Sequence, residues 1–462
     1  MMGGPDPLLL CDDELGLVTD LYQLTMFAAY RQSRRGVRGT FELWFRDLPP
    51  KRNFLLASGL APSLAFLLGL KFGAREIAAL RRLEPLADLG EEFFSALRRL
   101  RFSGDVWGVR EGTVVFAGEP VLRVEAPIEQ AQLVETYLLA AMSFSTLVAS
   151  KAARVRLAAA ERQVVDFGSR RAHGPQAACW AARAAYLAGL DGTSNVWAAT
   201  RLGIPPSGTM AHSFVLAFGR EDEAFRAYAR AFPGRTVLLV DTFDTLAAVE
   251  RAAADPELEF VGIRLDSGDL AALARACRRV LDGLGRREVR ILASGDLDES
   301  RIAAILAAGA PVDGFGVGTR MVTSADAPAL QAVYKLVAVG KRGGPQLGVA
   351  KHSPGKRTLP GAKQVWRRRE GDTMVEDLVA PLGQAPPQGP WEPLLEPWIV
   401  RGRLVTALPT LDDARRLAKD QLGSLPGAWR ELAPAPAFTV TLAPALETEE
   451  KGASRTSPAR RQ

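Results

Sequence analysis

The chain has 462 residues, 47% hydrophobic and 24% charged, the composition of a globular protein large enough for an α/β core and a smaller second unit. Its net charge of +6 is no general nucleic-acid footprint, because Lys451, Arg455, Arg460 and Arg461 in the acid-free stretch 451–462 carry four of the six charges. No apolar run approaches the roughly 18–20 residues of a membrane span, and the opening MMGGPDPLLLCDDELG lacks the basic start of a secretory signal, so a cytoplasmic protein with no membrane partner is expected.

Residues 1–13 are expected to form a flexible start. The stretch LVTDLYQLTMFAAY (17–30) has helical apolar spacing, with Thr19 or Asp20 as its cap. GTFELWFRDLP (39–49) alternates as a strand, and 105–127 reads as turn-rich β-structure with Gly112 and Gly118 at the bends. These segments predict an N-terminal β-containing domain over 14–127. The β-patterns AVYKLVAV and KQVWRRR, within 333–379, are expected to rejoin it.

A catalytic α/β domain is expected over 128–332, and from about residue 163 its pattern is regular. RQVVDFG (162–168), RTVLLVDTFDT (235–245), EFVGIRLDSGD (259–269), EVRILASGDLD (288–298) and VDGFGVGTRM (312–321) read as strands alternating with helices. That order predicts right-handed parallel βαβ units, closed as a βα-barrel or laid out as an open doubly wound sheet. The absence of GxGxxG disfavours a dinucleotide fold. A proline-rich linker (381–393) and a surface helix (410–423) make up a C-terminal segment, 380–435. A basic tail, 436–462, is expected to be disordered. Cys11, Cys179 and Cys277 have neither metal-type nor disulfide-framework spacing.

Each strand ends in polar residues, and in a barrel such ends share one face. Ser294 and Gly295, then Gly316, Gly318 and Thr319, form two glycine-bearing ends suited to a phosphate; the alternative is a pair of tight turns. Asp241 and Asp266 could bind ribose hydroxyls or a divalent cation, or could simply cap the following helices. Arg264 lies beside them. Arg170 and Arg171 form an anion-suited pair, or a solvated one. His212, with Ser213 after it, precedes the apolar run FVLAF, and on its own would read as a core histidine before a strand-like segment. The basic stretch KHSPGKRTLPGAKQVWRRR (351–369) reads as a Gly/Pro-bent hairpin whose Lys351, Lys356 and Arg357 could screen polyphosphate; it has no RNA-binding fold pattern.

TDLYQLTM, FELWFRDLP, DFGSRRAHGP, DGTSN, SGTMAHSF, LVDTFDT, IRLDSGD, FGVGT and KHSPGKRTLPGAKQVWR occur together and in order. In this combination the chain closely resembles the nicotinate phosphoribosyltransferases, type II phosphoribosyltransferases of NAD synthesis, over roughly residues 14–430. The resemblance implies an irregular (β/α) barrel with a second α+β domain. It also implies formation of nicotinate mononucleotide and pyrophosphate from nicotinate and phosphoribosyl pyrophosphate, coupled to ATP hydrolysis through a phosphohistidine at His212. By the same resemblance Phe167 and Tyr22 stack on the pyridine ring, with Tyr22 donated by the second subunit of a homodimer. Arg170 and Arg171 face the carboxylate and the 5′-phosphate, and Ser213 is placed at the substrate. Asp241, Arg264 and Asp266 serve ribose and Mg²⁺-pyrophosphate, with Asp241 and Asp266 as metal ligands. Ser194 stands where the related nicotinamide enzyme has an aspartate, which favours the anionic base. His173 departs from the glutamine usual after RRA. The alternatives are a nicotinamide-using or quinolinate-type enzyme, disfavoured by Ser194 and His212 respectively, and a non-catalytic phosphoribosyl-ligand sensor.

Overall fold

A computed structural model describes residues 10–341, 343–351 and 358–446. The expectations for residues 1–9, for Lys356 and Arg357, and for the tail from 447 onward fall outside these residues. The described residues form two compact units, one within 10–147, 329–429 and 434–446, the other 148–328 with 430–433.

The first unit is built on a seven-stranded antiparallel sheet in the order Gln346–Gly348, Ala332–Lys341, Val37–Phe45, Pro120–Pro127, Asp105–Gly108, Glu396–Val400 and Arg403–Leu404. Leu43 sits opposite both Tyr334 and Leu122, so the late segment is threaded beside the early one. Helices Leu60–Gly69 and Glu91–Arg99 bury Leu64, Leu67, Phe94 and Leu97 in the same core. The division falls at 147/148, twenty residues beyond the 127/128 expected from sequence. Leu133, Val134, Leu138 and Met142 explain it, since all four are buried in the first unit's core. Two further differences concern the C-terminal part. Trp391–Pro393, inside the expected linker, and Val440–Leu442, inside the expected disordered tail, are both strands of a four-stranded sheet.

The 25-residue helix Glu135–Ala159 is long and apolar enough to cross a membrane by length and composition, which the sequence reading did not anticipate. Yet 78% of its most apolar 18-residue window is buried inside the protein, as befits a core helix.

The second unit holds a parallel sheet of β1 (Gln163–Asp166), β2 (Gly192–Thr193), β3 (Val237–Leu239), β4 (Gly262–Leu265), β5 (Arg290–Ala293) and β6 (Gly314–Val317). Its order is β2-β1-β6-β5-β4-β3, so the sheet is open at β2 and β3: the α/β architecture is an incomplete barrel. Val164, Leu238, Ile263, Ile291 and Phe315 are buried, as expected for parallel strands covered on both faces. The helices are α1 (Pro175–Leu187), α2 (Val196–Leu202), α3 (His212–Phe218), α4 (Glu221–Ala231), α5 (Thr245–Ala254), α6 (Leu270–Gly283), α7 (Glu299–Ala307) and α8 (Thr319–Val322).

The run FVLAF, read as strand-like, belongs to α3, which Gly219 ends at φ +71. A five-residue apolar run carries no period of its own, and here only Val215 is buried while Leu216 stays 56% exposed.

Candidate active site

Parallel register brings the site residues together. Val317 pairs with Asp166, Ala293 with Leu265 and with Phe315, and Leu239 with Arg264. The residues just past these strand ends therefore gather along one edge: Phe167, Asp241, Asp266, Ser294 and Gly318. Three of the loops carry two aspartates, two or three positions apart, and the pairs divide the work. Asp244, Asp269 and Asp298 each accept the backbone N–H three residues on, capping α5, α6 and α7. The earlier members are thereby free: Asp266 and Asp296 line the cavity, and Asp241 reaches His212.

Asp241 is the hub, its side chain 2% exposed. One oxygen lies 3.2 Å from His212 Nε2. The other accepts the Asp266 backbone N–H at 2.9 Å and the Ser267 hydroxyl at 2.6 Å. A carboxylate only accepts, so it holds the imidazole proton on Nε2 and leaves Nδ1 with a free lone pair. Asp266 in turn accepts the Ser294 hydroxyl. Two carboxylates thus link the loops: Asp241 ties the histidine to the loop after β4, and Asp266 ties that loop to the one after β5.

Phe167 is half-buried, with the Arg264 guanidinium 5.8 Å above its ring centroid. Arg264 also donates to Thr209 Oγ1, while its Nε is buried without a protein partner. Burial lowers the Arg264 pKa from its ordinary value, and the charges of Asp266 and Asp241 oppose that shift. Asp166, fully buried at the end of β1, has its pKa raised by burial; the Gly168 N–H and Thr193 hydroxyl bonds pull it back. Its role is to tie β1 to β2. The glycines answer internal demands as much as any ligand. A Cβ on Gly295 would stand 1.9 Å from the Asp266 carbonyl oxygen, and one on Gly316 would stand 2.4 Å from the Phe167 ring.

These loops enclose a cavity of about 680 Å³. Of the residues singled out from sequence, Phe167, Arg170, Arg171, Ser194, Arg264 and Asp266 line it, together with Ser294, Gly295, Gly316, Gly318 and Thr319. Four arginines (Arg301 is the fourth) outnumber Asp266 and Asp296 on its wall, so it suits a polyanion. His212 and Asp241 are not wall residues; they join the cavity through Asp266 and Ser267, and through Ala211 beside the histidine. Ser213 is exposed and outside the wall, and so is His173. Tyr22 is on the helix Leu21–Ser33 of the first unit, 48% exposed. Sequence reasoning missed Ser169, Thr209 and Arg301. Thr209 and Ser169 sit inside quoted motifs, whereas Arg301 lies in a helical stretch that carries no local sign of a site.

Among the described residues no group of three or more His, Cys, Asp or Glu could hold a metal ion. Asp266 still fits a cation bound mainly by substrate phosphates, which is how Mg²⁺ is commonly held. Asp241 fits less well, because both its oxygens are already engaged.

Comparison with known proteins agrees with this geometry. Residues 17–143 match the nicotinate phosphoribosyltransferase N-terminal domain and residues 162–351 the nicotinate phosphoribosyltransferase family. The chain is 47% identical over 422 residues to nicotinate phosphoribosyltransferase pncB2 of Mycobacterium tuberculosis, covering 90% of this chain and 89% of that one. It is 43% identical over 368 residues to the Bacillus subtilis nicotinate phosphoribosyltransferase, covering 77% and 74% respectively. The crystal structure of human nicotinic acid phosphoribosyltransferase superposes with a TM-score of 0.81 at 30% identity, over 94% of this chain and 99% of that one. With both family domains matched in order and the strand-end cavity in the second, the chain belongs to the nicotinate phosphoribosyltransferase family.

Proposed function

We propose that this protein is a cytoplasmic nicotinate phosphoribosyltransferase. The observation that carries the reading is the arginine-rich cavity of about 680 Å³ whose wall joins Phe167 to two glycine loops. In the reaction the nicotinate ring nitrogen attacks C1 of phosphoribosyl pyrophosphate. The C1–O bond breaks and pyrophosphate leaves with the electron pair, giving nicotinate mononucleotide. Phe167 supplies one stacking face, with Arg264 above it. Arg170 and Arg171, exposed and at the cavity wall, are placed to receive the carboxylate and a phosphate. The glycine loops hold the 5′-phosphate, and Asp266 holds the ribose. A bound Mg²⁺ would neutralise charge on the departing pyrophosphate, with an Asp266 oxygen as its protein ligand.

His212 couples the reaction to ATP. Its Nδ1 attacks the γ-phosphorus, the bond to the bridging oxygen breaks, and ADP departs. Water later hydrolyses the phosphohistidine to free phosphate. Asp241 keeps Nε2 protonated throughout, 3.2 Å away. Phe167 is the only aromatic residue on the cavity wall among the described residues. The exposed Tyr22 of a second copy supplies the other stacking face, making the working unit a homodimer.

Ser194 selects the base. It is exposed on the cavity wall, with its N–H anchored to the Asp166 carbonyl at 2.8 Å, so its side chain is free to meet the ligand. An aspartate there would repel a carboxylate and accept from an amide. Ser194→Asp is expected to shift the ratio of kcat/KM for nicotinate over nicotinamide by about a hundred-fold toward nicotinamide. Competing steady-state assays test this, and an unchanged ratio would contradict it.

A further inference from the structure

The side chain of Arg301, on the first turn of α7, reaches back into the cavity. Its Nη1 donates to the Asp296 carbonyl at 3.2 Å and lies 3.5 Å from the Gly295 carbonyl. The guanidinium is thereby pinned against the glycine loop after β5. Its Nε and Nη2 donors have no protein partner among the described residues, and Arg301 is part of the cavity wall. A fork held by one edge with its other donors open toward a cavity is a ready receptor for a phosphate oxygen.

The loop that carries this fork is braced from two further directions. Asp298 caps α7 through Oδ1, accepting the Arg301 N–H at 2.9 Å. Its Oδ2 accepts from Arg320 Nη1 at 3.1 Å, across to α8, which follows directly on the glycine loop after β6. The Asp298 side chain is only 14% exposed, so this ion pair is partly shielded from water. The next residue, Glu299, is 3% exposed and receives Lys151 Nζ at 2.7 Å and Arg154 Nε at 3.0 Å. The two glycine loops are therefore fixed to one another, and the start of α7 is fixed to the core. This rigidity sustains Asp296 at φ +47, which a non-glycine residue does not adopt freely.

We propose that Arg301 is a further phosphate-binding residue of the cavity, and that Asp298 and Arg320 are positioning residues that set the gap between the two glycine loops. The inference rests on the functional reading above. The phosphate bound is either the 5′-phosphomonoester or the pyrophosphate of the phosphoribosyl substrate.

The test uses the full chain. Calorimetry with ribose 5-phosphate and, separately, with inorganic pyrophosphate is combined with KM values for phosphoribosyl pyrophosphate and nicotinate. Arg301→Ala is expected to weaken one of the two anions about ten-fold and to raise the KM for phosphoribosyl pyrophosphate by a similar factor. The KM for nicotinate should stay within about two-fold. Arg301→Lys should recover part of the loss. Loss with ribose 5-phosphate assigns Arg301 to the phosphomonoester, and loss with pyrophosphate assigns it to the leaving group. Asp298→Asn keeps a capping side chain but removes the charge, and is expected to raise the KM for phosphoribosyl pyrophosphate about three-fold or more without a matching fall in Tm. Unaltered affinity for both anions in Arg301→Ala, or equal rises in both KM values, would overturn the inference while leaving the function intact. A wild-type protein that binds neither anion nor phosphoribosyl pyrophosphate would overturn the functional reading and this inference together.

Discussion

Replacing His212 with alanine is expected to abolish the transfer of label from γ-labelled ATP to the protein and to remove ATP stimulation of mononucleotide synthesis. The expectation follows from the pairing of His212 Nε2 with Asp241 at 3.2 Å, which leaves Nδ1 as the free nucleophilic nitrogen on a side chain 39% exposed. Exposure is needed, because a γ-phosphate must reach that nitrogen in line with its leaving oxygen. Asp241→Asn should depress labelling about a hundred-fold, since an amide can donate as well as accept and no longer fixes the tautomer. The same change disturbs the loop after β4, which Asp241 holds through Asp266 N–H and Ser267 Oγ. Labelling and base transfer should therefore both fall in Asp241→Asn. Acid-labile phosphate retained in His212→Ala would refute the assignment.

The second large effect is expected at Gly295. Its φ of +91 is one a side chain rarely adopts, and a Cβ there would stand 1.9 Å from the Asp266 carbonyl oxygen. Gly295→Ala must push the loop after β5 away from the loop after β4, carrying Ser294 off Asp266 and the glycine backbone off its ligand. We expect kcat/KM for phosphoribosyl pyrophosphate to fall by about a hundred-fold, with a stability loss of about 1–3 kcal/mol. Gly309→Ala is the internal control, because Gly309 also has positive φ, at +66, but open space around it. That variant should show the backbone strain without the loss of catalysis. Wild-type kinetics in Gly295→Ala would contradict the geometry.

Much of the second unit was legible in the sequence because its strands are short apolar runs, each closed by Asp, Ser or Gly. What the runs could not show was which aspartate of each pair caps a helix. DTFD, DSGD and DLD each contain a capping residue and one left free, and only the helix start decides between them. His212 was legible through its family motif alone, since a single histidine before an apolar run has no spacing partner. Asp241, its partner in space, is 29 residues away. Segment 128–147 follows the last strand expected for the first unit, yet its buried face packs with strands far away in sequence. Arg301 could not be found at all without the turn that swings its side chain back to the Gly295 and Asp296 carbonyls.

The reaction is tested most directly by product formation in the wild-type protein supplied with phosphoribosyl pyrophosphate and either nicotinate or nicotinamide, with Mg²⁺ and ATP. Nicotinate mononucleotide and pyrophosphate are expected in equal amounts from nicotinate, and little or no product from nicotinamide. Preferential use of nicotinamide would contradict the reading of Ser194. Tight binding of phosphoribosyl pyrophosphate with no product from either base would contradict catalysis and leave a ligand sensor in its place.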